Sequence, residues 1–125
     1  MNVVDSSGWL EFFADAGNAD FFTAPIQDTP SLVVPTLSLY EVFKKITRER
    51  GEGDALQAVA VMQQGSVVDL SVSLSLEAAR LSLEHRLPMA DSIILATARS
   101  HGATLWTQDA DFEGIEGVRY IEKQE

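Results

Sequence analysis

The chain has no cysteine and only two histidines, His85 and His101. Disulfides, thiolate metal sites and a cysteine nucleophile are thereby excluded, and a structural zinc site lacks its usual ligands. The missing cysteine also fits a reducing compartment, so a cytoplasmic location is expected. Basic residues are scarce: 9 Lys and Arg against 19 Asp and Glu, a formal net charge of −10. That sign opposes holding nucleic acid by bulk electrostatics unless metal ions or local basic clusters offset it. No apolar run approaches the ~18 residues of a membrane span. The opening Met1-Asn2-Val3-Val4-Asp5 has no basic n-region and no apolar signal core, so neither a membrane nor secretion is expected. A Gly-rich phosphate cradle and a Ser-His-Asp order are also missing.

What remains is a chain of 125 residues, 46% hydrophobic, enough to fill one continuous core in a single domain over 1–125. Val3-Val4 reads as a buried strand ending at Asp5. A helix follows, capped by Ser6 or Ser7 and stopped by Gly17; a second short helix covers 19–24, before Pro25. Residues 31–34 read as a strand closed by Pro35. From Thr36 a helical pattern (Leu37, Tyr40, Phe43, Ile46) runs to Gly51. Further helices are expected over 54–64, from Ser73 or Ser75 to His85, and from Pro88 to Gly102. Further strands are expected over 66–70, 103–107 and 118–121. This alternation predicts an α/β three-layer sandwich, a mainly parallel central sheet flanked by helices.

Four carboxylates lie in apolar surroundings or at strand ends: Asp5, Glu41, Asp91 and Asp109. On a helix, Asp91 shares a side with Ile94, Leu95 and Ala98. Burying an ionised carboxylate costs several kcal/mol unless it is paired or bound to metal. The helix macrodipole offers about 0.3–1 kcal/mol, which is less. Parallel sheets bind ligands at the carboxyl ends of their strands, so Asp5 and Asp109 are candidates for one shared edge, with Asp91 and Glu41 approaching it. Structural roles also account for some of these acids: a helix cap for Asp5, an i, i+4 pair with Lys45 for Glu41, an Asx turn for Asp109. Gathered together, the four would repel one another, and a divalent cation removes that conflict. Oxygen-only ligands suit Mg²⁺ or Mn²⁺. Ser6 and Thr107 are candidate supporting hydroxyls, with capping and turn roles equally open. Lys44, Lys45, Arg48 and Arg99 are candidates to hold a phosphate backbone, though the charge run after Glu41 also reads as a solvated helix face. His85 and His101 sit near helix ends and read as structural.

The order and context of these acids resemble a PIN-domain ribonuclease, in particular the VapC type of toxin from toxin–antitoxin pairs. The resemblance rests on Val3-Val4-Asp5-Ser6-Ser7, Leu39-Tyr40-Glu41-Val42, the stretch from Leu87 to Ala98, and Leu105-Trp106-Thr107-Gln108-Asp109-Ala110-Asp111-Phe112. It implies that Asp5, Glu41, Asp91 and Asp109 form an acidic quartet, with Asp111 a secondary acid. It also implies Mg²⁺-dependent hydrolysis of RNA to 5′-phosphate and 3′-hydroxyl ends, a homodimer, and a cognate antitoxin that plugs the acidic groove. Leu10, Phe13, Phe21 and Phe22 are apolar enough for an interface, and core packing explains them too. Two other readings stand beside this one. In a response-regulator receiver, Asp69 would be the phosphoacceptor, although Asp5 is followed by serines and not by a second acid. A non-cleaving PIN module would bind RNA or antitoxin only. An EF-hand is disfavoured because the twelfth position of a loop starting at Asp109 is Tyr120.

Overall fold

A computed structural model describes residues 1–124. Five short strands, β1 (Asn2–Val4), β2 (Val33–Pro35), β3 (Ser66–Val68), β4 (Thr104–Thr107) and β5 (Val118–Tyr120), alternate with six helices. These are α1 (Ser6–Phe13), α2 (Ala19–Gln27), α3 (Thr36–Arg50), α4 (Glu52–Met62), α5 (Val72–His85) and α6 (Met89–Ser100). Every strand pair is parallel: β1 with β4, β4 with β5, and β2 with β3. A single parallel bridge between Asn2 and Leu32 joins the two ladders, giving the order β3-β2-β1-β4-β5.

Both faces of the sheet are covered, as strands built from consecutive β-branched residues require. Val3, Val33 and Leu105 face one way and pack against α5 and α6 through Leu81, Ile94 and Leu95. Val4 and Val34 face the other way, onto Trp9, Phe22, Val42 and Met62 from α1 to α4. Phe22 is fully buried in that second core, so core packing is its role and it lines no interface. The parallel three-layer architecture expected from the sequence is the one observed.

Several boundaries differ from the expectation, each for a local reason. Asp5, not Ser6 or Ser7, caps α1: its side chain accepts from Gly8 N. The helix closes at Ala14, whose N–H returns to Leu10 and Phe12, before Gly17 is reached. Helix α2 continues through Pro25 to Gln27 because Pro25 and Ile26 are buried in the core, and that packing outweighs the hydrogen bond a proline forfeits. Ser71 caps α5 by accepting from Leu74 N, ahead of both serines proposed from sequence. Residues Thr29–Ser31 form a 3₁₀ turn, so β2 starts at Val33.

The chain leaves β1 for β2 and β3 on one side, then returns to β4 on the other side of β1. The crevice between the carboxyl ends of β1 and β4 is therefore the topological switch point, where open parallel sheets bind ligands. Asp69 lies beyond β3, two strands from β1 and exposed at the sheet edge. Two strand spacings are about 9.6 Å, so Asp69 shares no site with Asp5 and the receiver arrangement is not formed.

Candidate metal centre

Register brings the first two site residues together. Val4 pairs with Trp106, so the next residues along, Asp5 and Thr107, are neighbours across the ladder. Alternation turns both toward the face that carries α6. Asp5 is 2% exposed. Its Oδ1 accepts from Gly8 N at 2.9 Å and Ser7 Oγ at 2.8 Å, and its Oδ2 accepts from Thr107 Oγ1 at 2.5 Å. Burial pushes its pKa up to about 6, despite these donors pulling it down. Asp5 is thus both the cap of α1 and a member of the site.

Thr107 also accepts from Asp109 N at 2.9 Å, fixing the chain as it leaves β4. Asp109 Oδ1 then accepts from Asp111 N at 2.9 Å, the Asx-type turn expected of it. That turn carries Asp111 round toward Asp91. Carboxylate oxygens of Asp91, Asp109 and Asp111 all lie within 4.8 Å of one another. Asp91 sits in the first turn of α6, above Ile94, Leu95 and Ala98, each 1% exposed. Its pKa is raised to about 7, first by desolvation and then by the charges of Asp109, Asp5, Asp111 and Glu41.

Glu41 approaches from α3. Its Oε1 accepts from Ser6 Oγ at 2.6 Å, and Lys45 pairs with Glu49 at 3.1 Å instead of with Glu41. The i, i+4 alternative for Glu41 is therefore not formed. Asp5, Glu41, Asp91 and Asp109 all line one cavity of about 470 Å³, with Ser6 and Ser7 beside them. Asp111 reaches the group from an exposed position outside that lining.

The donor set fits a hard divalent cation. All the converging ligands are carboxylate oxygens, and donors on opposite sides of Mg²⁺ are about 4 Å apart, close to the spread seen among Asp91, Asp109 and Asp111. The raised pKa values fit as well, since burial and then the crowding of like charges both disfavour the ionised acids here.

The basic residues expected to hold phosphate are dispersed. Lys45 lines the cavity; Lys44 and Arg48 flank a shallower hollow with Tyr40, and Lys44 Nζ lies 5.6 Å from the Tyr40 ring centroid. Arg99 lies eight residues after Asp91, about 12 Å along the helix, and donates to Glu116 O at 3.3 Å. It does not join the cavity. His101 Nδ1 lies 3.0 Å from Thr97 O, and His85 is in the last turn of α5, in keeping with structural roles. Sequence reading missed Ser7, Glu11, Gln108, Arg50 and Lys123, all of which line the cavity.

The chain matches the PIN domain family over residues 3–118. It belongs to that family. Structural neighbours of this PIN domain are VapC toxins and toxin–antitoxin complexes. A chain in a toxin–antitoxin complex from Klebsiella pneumoniae is 23% identical, with a TM-score of 0.80 over 95% of this chain and 96% of that one. A VapC of Mycobacterium tuberculosis, described as a sarcin–ricin-loop-cleaving toxin, is 19% identical, with a TM-score of 0.77 over 93% and 95%. A chain of DNA-bound VapBC from Salmonella typhimurium is 16% identical, with a TM-score of 0.74 over 98% of each. At these identities the likeness is one of fold. No curated protein sequence matches the chain. Among the described residues no helix of this PIN domain is long and apolar enough to cross a membrane.

Proposed function

We propose that this PIN domain is a divalent-metal-dependent endoribonuclease, the toxin of a toxin–antitoxin pair. The observation that carries the reading is the convergence of Asp5, Glu41, Asp91 and Asp109 on one cavity at the β1/β4 switch point, with Asp111 at its edge. Asp91, Asp109 and Asp111, whose carboxylate oxygens lie together, would hold Mg²⁺ or Mn²⁺, with Asp5 and Glu41 on the same cavity completing the acidic set. When bound, such an ion supplies Lewis-acid polarisation of phosphate oxygens and lowers the pKa of water. The chain's own residues fix the ligands. Ser7, Gly8 and Thr107 hold both oxygens of Asp5, Ser6 holds Glu41, and the Asp111 amide orients Asp109.

Hydrolysis adds water across the P–O3′ bond, leaving a 5′-phosphate and a 3′-hydroxyl. The proton released by the water passes to the cavity's carboxylates, and the leaving O3′ takes one from solvent. Single-stranded or looped RNA suits an open cavity of this size, because unpaired bases can be splayed away from the backbone. Lys45 borders the cavity, and Lys44 and Arg48 extend along α3 for the flanking phosphates. The neighbour from M. tuberculosis is described as a toxin cleaving the sarcin–ricin loop, that from K. pneumoniae as a toxin–antitoxin complex, and that from S. typhimurium as DNA-bound VapBC. These descriptions support an antitoxin partner for this chain. A second copy is the other partner. Val72, Leu76 and Leu83 on the outer side of α5 are 79%, 56% and 85% exposed, an apolar stripe at 72, 76 and 83 suited to a protein contact.

Cleavage of a single-stranded RNA oligonucleotide tests the reading. Activity is expected with Mg²⁺, lost on chelation with EDTA, and lost in Asp91→Asn while thermal unfolding stays cooperative. Mg²⁺-independent cleavage, or full activity in a folded Asp91→Asn, contradicts it.

A further inference from the structure

A cavity lined by Asp5, Glu41, Asp91 and Asp109 repels the phosphate it is to cut. Its lining cations are Lys45, Arg50 and Lys123. Lys45 Nζ lies 3.1 Å from Glu49 Oε1, so its charge is already offset. Among the described residues neither Arg50 nor Lys123 forms an ion pair. Lys123 comes three residues after β5 ends, in a terminal segment without regular structure. Such segments fray unless tied down.

This one is tied down on both sides of Lys123. Asn18, 2% exposed, donates from Nδ2 to Glu122 O at 3.0 Å and to Gln108 Oε1 at 2.9 Å. Gln108, 4% exposed and adjacent to Asp109, donates in turn to Glu11 Oε1 at 3.2 Å. Glu11 Oε2 accepts from Asn18 N at 2.9 Å, closing the ring. Ile121 N donates to Thr107 O at 3.0 Å. Beyond Lys123, the end of the Gln124 side chain lies over Gly17. The amide N–H groups of Asn18 and Gln108 are paired, while Asn18 Oδ1 is buried without a partner, and the pairing that is made joins the terminal strap to the loop that carries Asp109.

We propose that Lys123 is a substrate-phosphate-binding residue of this site, and that Asn18 is the positioning residue that holds it at the cavity rim. The inference rests on the nuclease reading. A lysine ammonium serves phosphate as a point charge. With the strap already ordered in the fold, little additional ordering is lost on binding RNA.

The test is steady-state cleavage of a single-stranded RNA oligonucleotide by the full chain with Mg²⁺, at several salt concentrations. The parent is compared with Lys123→Ala, Lys123→Arg, Asn18→Ala and the Asn18→Ala/Lys123→Ala pair. Lys123→Ala is expected to raise KM about tenfold, as for loss of one charge-assisted contact. It leaves kcat within about twofold and lowers the salt slope of KM by about one. Lys123→Arg restores KM. Asn18→Ala raises KM in the parent and adds nothing when Lys123 is already alanine; if it does not fold, the Lys123 variants decide. An unchanged KM in Lys123→Ala, or a loss that arginine does not restore, overturns the inference while a cleaving parent keeps the nuclease reading. A parent that does not cleave overturns both.

Discussion

Thr107 ties the two strand ends together through one hydroxyl, which donates to Asp5 Oδ2 and accepts from Asp109 N. Replacing it by valine keeps the shape and removes both bonds. Thr107→Val is expected to cost about 1–3 kcal/mol in a urea melt, because buried partners are left unsatisfied. It should also lower kcat for RNA cleavage about tenfold to a hundredfold, as for loss of a group that orients metal ligands. Unchanged stability and rate would show that Asp5 is held by Ser7 and Gly8 alone. The acids of the site were legible in the sequence because each stands where an apolar neighbourhood makes a charge conspicuous. Asp91 beside Ile94 and Leu95 is the plainest example. The groups that orient them were less legible. Serine and threonine near caps and turns are commonplace, and nothing local marks Ser7 as a donor to both oxygens of Asp5.

Helix α1 connects the site to the core through its first turn. A Cβ built on Gly8 meets Phe22 at 2.6 and 2.7 Å and Val4 at 2.7 Å. In an exposed helix, Gly→Ala gains up to about 1 kcal/mol. Here the overlap lies against the sheet and α2, and overpacking of that kind costs about 1–3 kcal/mol. Gly8→Ala is therefore expected to lower the melting temperature and to weaken Mg²⁺ binding, since the same residue's N–H caps onto Asp5. Gly53→Ala in α4, where nothing lies within 4 Å, is expected to raise stability by about 0.5–1 kcal/mol. Equal effects at the two positions would refute the packing account of α1. At this level the sequence was informative about which segments are helix or strand and poor about where they stop. Pro25 reads as a terminator until Ile26 is seen buried in the core. The clamp that places Lys123 was invisible, because Asn18 meets Gln108 and Glu122 from 90 and 104 residues away.

The whole molecule carries a charge of −10, and several of its acids are gathered at one crevice. Asp5 and Asp91 bind protons more tightly in the folded chain, at about 6 and about 7, than at the ordinary value of 3.8. Between those values the folded state carries the extra protons, so this site's contribution to stability falls as pH rises from about 4 to about 7. Without metal, Asp91→Asn should therefore gain in melting temperature over the parent as pH increases, and saturating Mg²⁺ should narrow that gap. A parent–variant difference that stays flat with pH would contradict the shift. The crevice itself was foreseeable from alternating strands and helices together with acids at strand ends. Its membership was not, since Arg50 and Lys123 enter through tertiary packing alone. The most direct measurement is calorimetric titration of the metal-free protein with Mn²⁺ at about pH 8, where both acids are ionised. The account predicts saturable binding in the parent, weakened more than about tenfold in a folded Asp91→Asn. No saturable binding, or equal affinity in the two proteins, would contradict it.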